Sequence, residues 1–201
     1  MARNRFLRPM SICRNRDYSL CIGKLNTIQY TSIMRIDIVG LPASGKSTLA
    51  AAISEKLSIP HIHLDRFWFE SGGRQGRHDT PNIDEVKLKV KELALEAAQG
   101  KSWVSDGVYM NVQEEIAPLA DVIIFLDSSL FVRLLNHAHR AFLKPRRHTE
   151  LSLWDEITFF LEIVRRERKS KPKLLAFLKE HGTKVTVLRN RKDVRNYLQQ
   201  I

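Results

Sequence analysis

Cysteine is almost missing from this 201-residue chain: Cys13 and Cys21 are the only two, and both stand within the first 33 residues. No disulfide can therefore hold together a core built from the rest, and a reducing compartment, the cytoplasm, is the expected setting. Long apolar runs are missing too. No stretch approaches the roughly 18–20 residues that cross a bilayer, since charges interrupt every candidate, and no membrane association is expected. Residues 1–33 lack the compact apolar segment of a secretory signal, and no internal repeat occurs anywhere. His61 and His63 alternate with apolar residues but have no cysteine or third ligand nearby, which argues against zinc.

With 43% hydrophobic residues, what is present suffices for one sizeable core and one domain. The formal charge is +11 with pI ≈ 9.9, which suits an anionic partner without choosing one. Its distribution says more. Six cations against Asp17 place +5 in residues 1–33, leaving +6 for the remainder. The Arg-rich, acid-poor start loosely resembles an organellar transit peptide, but it reads better as a disordered or wrongly extended N-terminus, with Met34 a natural initiator just before the first strand. The function argued below does not call on residues 1–33.

From Met34 to the end, apolar runs of strand length alternate with helical periodicity, the pattern of a parallel sheet covered by helices. Strands are predicted at 35–39, 61–63, 103–105, 122–126 and 184–188, and helices at 46–57, 83–99, 112–117, 130–142, 151–168, 172–181 and 191–199. The fold class is three-layer α/β. The Gly-rich stretch 70–81 reads as a mobile loop. Residues 140–173 carry ten Lys or Arg against five acids on a helical pair, a basic arm suited to a lid over phosphates.

The chemistry concentrates between the first strand and first helix. Gly40, Leu41, Pro42, Ala43, Ser44, Gly45, Lys46 and Ser47 spell Gly-x-x-x-x-Gly-Lys-Ser, the Walker A pattern of ATP-binding loops. Gly40 and Gly45 let backbone amides close on phosphate oxygens with the help of the following helix N-terminus, where Thr48 also lies. Lys46 brings a positive charge to the β- and γ-phosphates, and the Ser47 hydroxyl ligates Mg²⁺. The chain holds no Asn-Lys-x-Asp guanine-reading signature, so ATP is the expected nucleotide. A carboxylate at a neighbouring strand end should complete the Mg²⁺ site. Asp106 is best placed, with Asp127 as rival; the competing reading of Asp127 is a helix cap aided by Ser128 and Ser129. Asp65, after the second strand, could accept a proton from a substrate hydroxyl or hold it in line with the γ-phosphate. Phe67, Trp68 and Phe69 read as packing residues.

The ordered set of this loop, His63-Leu64-Asp65 with Trp68, Trp103 to Tyr109, Ala120 to Asp127 and Val187-Leu188-Arg189 resembles the small adenylate-kinase-related P-loop proteins often labelled DNA topology modulation proteins. The resemblance runs from about Met34 to the C-terminus. It implies a P-loop NTPase fold of the nucleoside/nucleotide kinase type, with a five-stranded parallel sheet in the order 2-3-1-4-5 and a helical lid at about 140–173. It also implies lid arginines on the phosphates, with Arg133 and Arg140 at the lid's start and Arg165, Arg166 and Arg168 on the returning helix, and it puts Arg189 on the adenine side. Asp106-Gly107 resembles the Asp-Gly pair of adenylate kinases, but Val108, Tyr109 and Met110 follow where Pro-Arg is expected. That departure removes an arginine that grips an acceptor nucleotide.

The resulting expectation is an ATP- and Mg²⁺-dependent phosphotransferase acting on an unidentified small-molecule acceptor. Its catalytic residues would be Lys46, Asp65, Arg133 and Arg140. The alternative is a nucleic-acid-associated regulatory ATPase. It ranks second, because no nucleic-acid module is visible and the positive charge is accounted for by the lid-like arm and the N-terminal segment.

Overall fold

Successive strand residues point to opposite faces, and here both faces are apolar. In β1 (Arg35–Gly40), Ile36 and Ile38 join one hydrophobic cluster and Val39 the other; in β4 (Val122–Leu126), Ile124 and Leu126 join the first and Ile123 and Phe125 the second. Strands of this kind need helices on both sides, which parallel crossover connections supply. The computed structural model describes residues 34–74, 80–107, 109–143 and 153–201, without the side chains of 140–143 and 153–156. The reading of residues 1–33 therefore lies outside the described residues.

The sheet has the order β2 (His61–His63), β3 (Trp103–Asp106), β1, β4, β5 (Val185–Leu188), with every neighbouring pair parallel. This is the 2-3-1-4-5 order expected. One face is covered by α1 (Lys46–Leu57), through Leu49, Ala50 and Ile53, and by α8 (Arg191–Gln200). The other is covered by α3 (Ile83–Ala98), α4 (Met110–Ile116) and α7 (Lys171–Glu180). Val86, Val90, Ala94 and Ala98 recur at four-residue spacing on α3, which puts them on a single stripe against the sheet. Each fully buried Ile or Leu contributes about 1.5–3 kcal/mol, so truncating Ile38, which is completely buried, would cost about 2–5 kcal/mol.

The helix ends follow local chemistry. Asn190 caps α8 by accepting from the amides of Lys192 and Asp193 at 2.9 and 3.0 Å. Pro172 sits at the start of α7, where its missing N–H costs nothing. Ser129 accepts from the Val132 amide at 3.4 Å at the head of α5 (Leu130–Leu143). The capping contact at α5 is thus made by Ser129, while Asp127 faces Lys171 at 3.3 Å.

One α-helix among the described residues was not predicted. Residues Leu64–Glu70 form α2 directly after β2, where the apolar cluster Phe67-Trp68-Phe69 gave no strand or helix period. Trp68 is buried, and its indole N–H donates to the Arg74 carbonyl at 2.9 Å, while the Gly73 amide donates to the Trp68 carbonyl at 2.8 Å. The first part of the stretch predicted as a mobile loop is thereby tied to α2; residues 75–79 are outside the described residues.

The basic arm expected at 140–173 takes in the last turn of α5, α6 (Leu153–Lys169) and the start of α7, while residues 144–152 are outside the described residues. All five strands end on the same edge. The loop after β1, the start of α2, Gly107, Asp127 and Arg189 gather there, where open α/β folds collect ligands.

Candidate active site

The loop Leu41–Gly45 joins β1 to α1 and stays open to water at its helix end: Ser47 and Thr48 are exposed, and Gly45 and Lys46 half-buried. Gly45 has φ 99°, which an L side chain rarely adopts. A Cβ on Gly40 would come within 2.9 Å of both the Leu126 carbonyl and the Ser44 hydroxyl, so glycine there lets the loop run tight against β4. Gly45 precedes α1 without a side-chain cap. As in any α-helix, the first amides have no acceptor one turn back within the helix itself. The Lys46 ammonium folds back over the loop to the Leu41 carbonyl at 3.0 Å, placing its charge beside those amides. From β4 and α5, Ser128 donates to the Ser44 carbonyl at 3.3 Å and Asn136 to the Ala43 carbonyl at 3.0 Å, bracing the loop from behind.

Ser47 and Asp106, the two residues expected to hold Mg²⁺, lie against each other. The Ser47 hydroxyl donates to Asp106 Oδ2, bringing together two hard oxygen donors from α1 and the end of β3. Asp106 is only 1% exposed. Burial alone would raise its pKa, but hydrogen bonding from His61, the charge of His63 and the Ser47 hydroxyl outweigh burial and hold the carboxyl below the usual carboxylate range. His61 Nε2 lies 2.8 Å and His63 Nδ1 3.6 Å from Asp106 Oδ1, and the two imidazoles stack with centroids 5.3 Å apart. The sequence alone gives these histidines no role beyond arguing against zinc. The missing signal was register: alternation puts both on one face of β2, and His63 pairs with Asp106 across the β2–β3 ladder.

The donor set suits Mg²⁺, which favours oxygen ligands and takes a few from protein while keeping water and phosphate. Among the described residues, no three His, Cys, Asp or Glu side chains form a cluster that could enclose a metal. Ser47 and an ionised Asp106 fit a phosphate-bridging cation better than a resident one.

Behind this pair lies a second buried carboxyl. Asp37 of β1 is fully buried and accepts from the Ser105 hydroxyl at 2.6 Å. Burial pushes its pKa up to about 7, against the pull of Ser105 and Gln113.

Asp65 stands exposed in the first turn of α2 and accepts the Tyr109 hydroxyl at 2.8 Å. Tyr109 packs against Trp68, with ring centroids 5.8 Å apart. Both rings line a cavity of ≈ 390 Å³ that is also lined by Leu41 and Pro42 of the loop and by residues of α6 and α7. The cavity lies toward β2 and β3. Arg189 is exposed on the opposite flank, after β5.

The expected lid arginines divide. Arg133 is completely buried and bonded to Glu167 of α6, so in this arrangement its charge joins α5 to α6. Burial lowers its proton affinity, opposed by Glu167 and Asp127. Lys171 completes the group, 3.0 Å from Glu167 and 3.3 Å from Asp127. Arg140 belongs to α5 by its backbone, but its side chain is outside the described residues. Arg165 and Arg166 line the cavity beside Trp68 and Tyr109, and Arg168 is exposed.

A five-stranded parallel sheet in this order, with a Gly-rich loop and lysine opening α1, defines the P-loop kinase-like fold. Solved structures agree. A shikimate kinase from Acinetobacter baumannii in complex with shikimate aligns over 85% of this chain and 92% of its own, with TM-score 0.54 and 14% identity. TT1252 from Thermus thermophilus aligns over 83% and 95%, with TM-score 0.51 and 19% identity. At such identities the likeness is one of fold. Among curated proteins, a cytidylate kinase from Pyrobaculum aerophilum is 32% identical over 107 residues, and the uncharacterized protein YqaC of Bacillus subtilis 29% over 110. The chain spans little more than half the length of these relatives, 55% and 56%. No family model matches the chain.

Proposed function

We propose that this protein is a Mg²⁺- and ATP-dependent phosphotransferase that moves the γ-phosphoryl group to a small acceptor seated in the cavity between the loop and α6–α7. One observation carries the reading: an open Gly-x-x-x-x-Gly-Lys-Ser loop, with the Ser47–Asp106 oxygen pair, adjoins a cavity at its β2–β3 flank. The names of the cytidylate kinase relative and the shikimate kinase structures support phosphoryl transfer as the class of reaction.

In this reading Gly40 to Thr48 bind the polyphosphate through main-chain amides, and Lys46 neutralises the β- and γ-oxygens. Arg189 borders the base. Ser47 and Asp106 would hold Mg²⁺, which supplies positive charge to the phosphate oxygens. Asp65 orients the acceptor hydroxyl and takes its proton as the new O–P bond forms, and the Tyr109 hydroxyl fixes the carboxylate for that task. The α5–α6 arm, with Arg133 and Arg140 at its base, acts as a lid that excludes water, the competing acceptor. The expected setting is the cytoplasm; among the described residues no helix is long and apolar enough to cross a membrane.

A screen of nucleosides, nucleotides and hydroxylated metabolites for ADP release tests the reading. At least one compound should raise release well above the hydrolysis background. A flat response across the panel, with ATP bound but never transferred, would contradict phosphotransfer.

A further inference from the structure

The cavity that holds the acceptor in this reading is lined by five cations, Lys87 from α3 and Arg165, Arg166, Lys169 and Lys173 from α6 and α7, against one acid, Glu162. Glu162 is already shared, 2.7 Å from Arg166 and 3.8 Å from Arg165. Lys87 pairs with Asp84, which is largely exposed, at 2.7 Å. Lys169 and Lys173 have no ion pair or hydrogen bond among the described residues. With Glu162 and Asp84 both counted, the wall keeps an excess of three positive charges that repel one another, and an arrangement of this kind is relieved by an anion in the middle.

ATP itself does not account for this wall. The polyphosphate cradle is formed by the amides of α1 and by Lys46. The cationic wall instead faces Trp68, Tyr109 and the turn Leu41-Pro42, on the flank of the loop that carries Asp65. A neutral sugar or polyol would leave the charges unmatched, and a lone carboxylate would match one of them.

We infer that the acceptor is a phosphomonoester, its phosphoryl dianion held by Lys169, Lys173 and the neighbouring arginines while its free hydroxyl faces Asp65. The inference rests on the phosphotransferase reading and adds the acceptor's chemical class. The transfer balances: the acceptor oxygen bonds to the γ-phosphorus, the bond from that phosphorus to the β–γ bridging oxygen breaks, ADP leaves and the hydroxyl proton passes to Asp65. The anchoring phosphate is unchanged.

Calorimetric titration of inorganic phosphate into the full chain, pre-saturated with Mg²⁺ and a non-hydrolysable ATP analogue, tests it. The expected result is one phosphate site per chain that remains available with the analogue bound and prefers phosphate to acetate by about tenfold or more. Lys169→Ala/Lys173→Ala, at two exposed positions, should weaken phosphate by about tenfold or more while analogue affinity stays within about twofold. Lys169→Arg/Lys173→Arg should restore most of the loss. Analogue binding without phosphate binding, equal binding of acetate, or a double-alanine variant that binds phosphate like the parent would each overturn the acceptor class and leave the ATP reading standing. A parent chain that fails to bind the analogue would remove both.

Discussion

Tyr109, just ahead of α4, donates its hydroxyl to Asp65 in the first turn of α2 at 2.8 Å. The bond links the segments that follow β3 and β2, so the carboxylate assigned to the acceptor is set by the same strand that ends in Asp106. Asp65→Asn keeps the shape and the ability to accept from Tyr109 but loses the proton-accepting charge. Its turnover should fall by about 10²–10⁴ with ATP affinity unchanged. Tyr109→Phe should cut turnover by about tenfold through loss of one positioning hydrogen bond. Steady-state ADP release alongside ATP titration checks both; unchanged transfer in Asp65→Asn would remove it from the mechanism.

Mg²⁺ dependence tests the Ser47–Asp106 pair. Asp106→Asn retains the volume of the side chain and the contact with Ser47 but removes the charge. The Mg²⁺ concentration for half-maximal activity should rise by about tenfold or more, with metal-free ATP binding much less affected. Activity against Mg²⁺ concentration provides the measurement, and coincident curves for parent and variant would place the cation elsewhere.

Asp37 makes the fold sensitive to pH in a defined direction. Its pKa is 3.8 in the absence of burial and about 7 in the folded chain. Between those values the folded chain holds a proton that the unfolded chain has released. The stability contributed by the neutral carboxyl is therefore fully present below about pH 4 and lost as pH rises through about 7, with roughly 4 kcal/mol as an upper bound. Asp37→Asn mimics the protonated form. Urea midpoints at pH 5 and pH 8 should show the parent losing stability relative to this variant at the higher pH, and parallel behaviour would contradict the assignment.

The Arg133–Glu167 pair is read here as the join between α5 and α6. Glu167→Gln leaves a buried guanidinium without its charge partner, which should cost about 2–3 kcal/mol, less than for a wholly buried pair because Glu167 is 26% exposed. Thermal unfolding of Glu167→Gln, Arg133→Met and the double variant forms the cycle. Additive losses would show that the two side chains are not coupled.

The strands were legible because both faces of the sheet are buried, so that segments such as Val122–Leu126 stand out as apolar runs of strand length. The loop was legible because its chemistry lies within eight consecutive residues, Gly40 to Ser47. What escaped depends on neighbours distant in sequence. Leu64–Glu70 is too short for a helical period, and its place is set by Tyr109 and by Arg74. His61 and His63 acquire a role only through register with Asp106. Which flank of the loop Arg165 and Arg166 meet depends on the rotation of α6 about its axis, which packing on α5 and α7 sets and residue spacing does not.

Everything proposed for this site requires that the loop at the head of α1 hold ATP. Isothermal titration of MgATP into the parent chain and into Lys46→Ala tests it most directly. One site per chain is expected in the parent and a loss of at least about 30-fold in Lys46→Ala, with the variant still folded by circular dichroism. Equal affinity in the two proteins, or no binding to the parent, would contradict it.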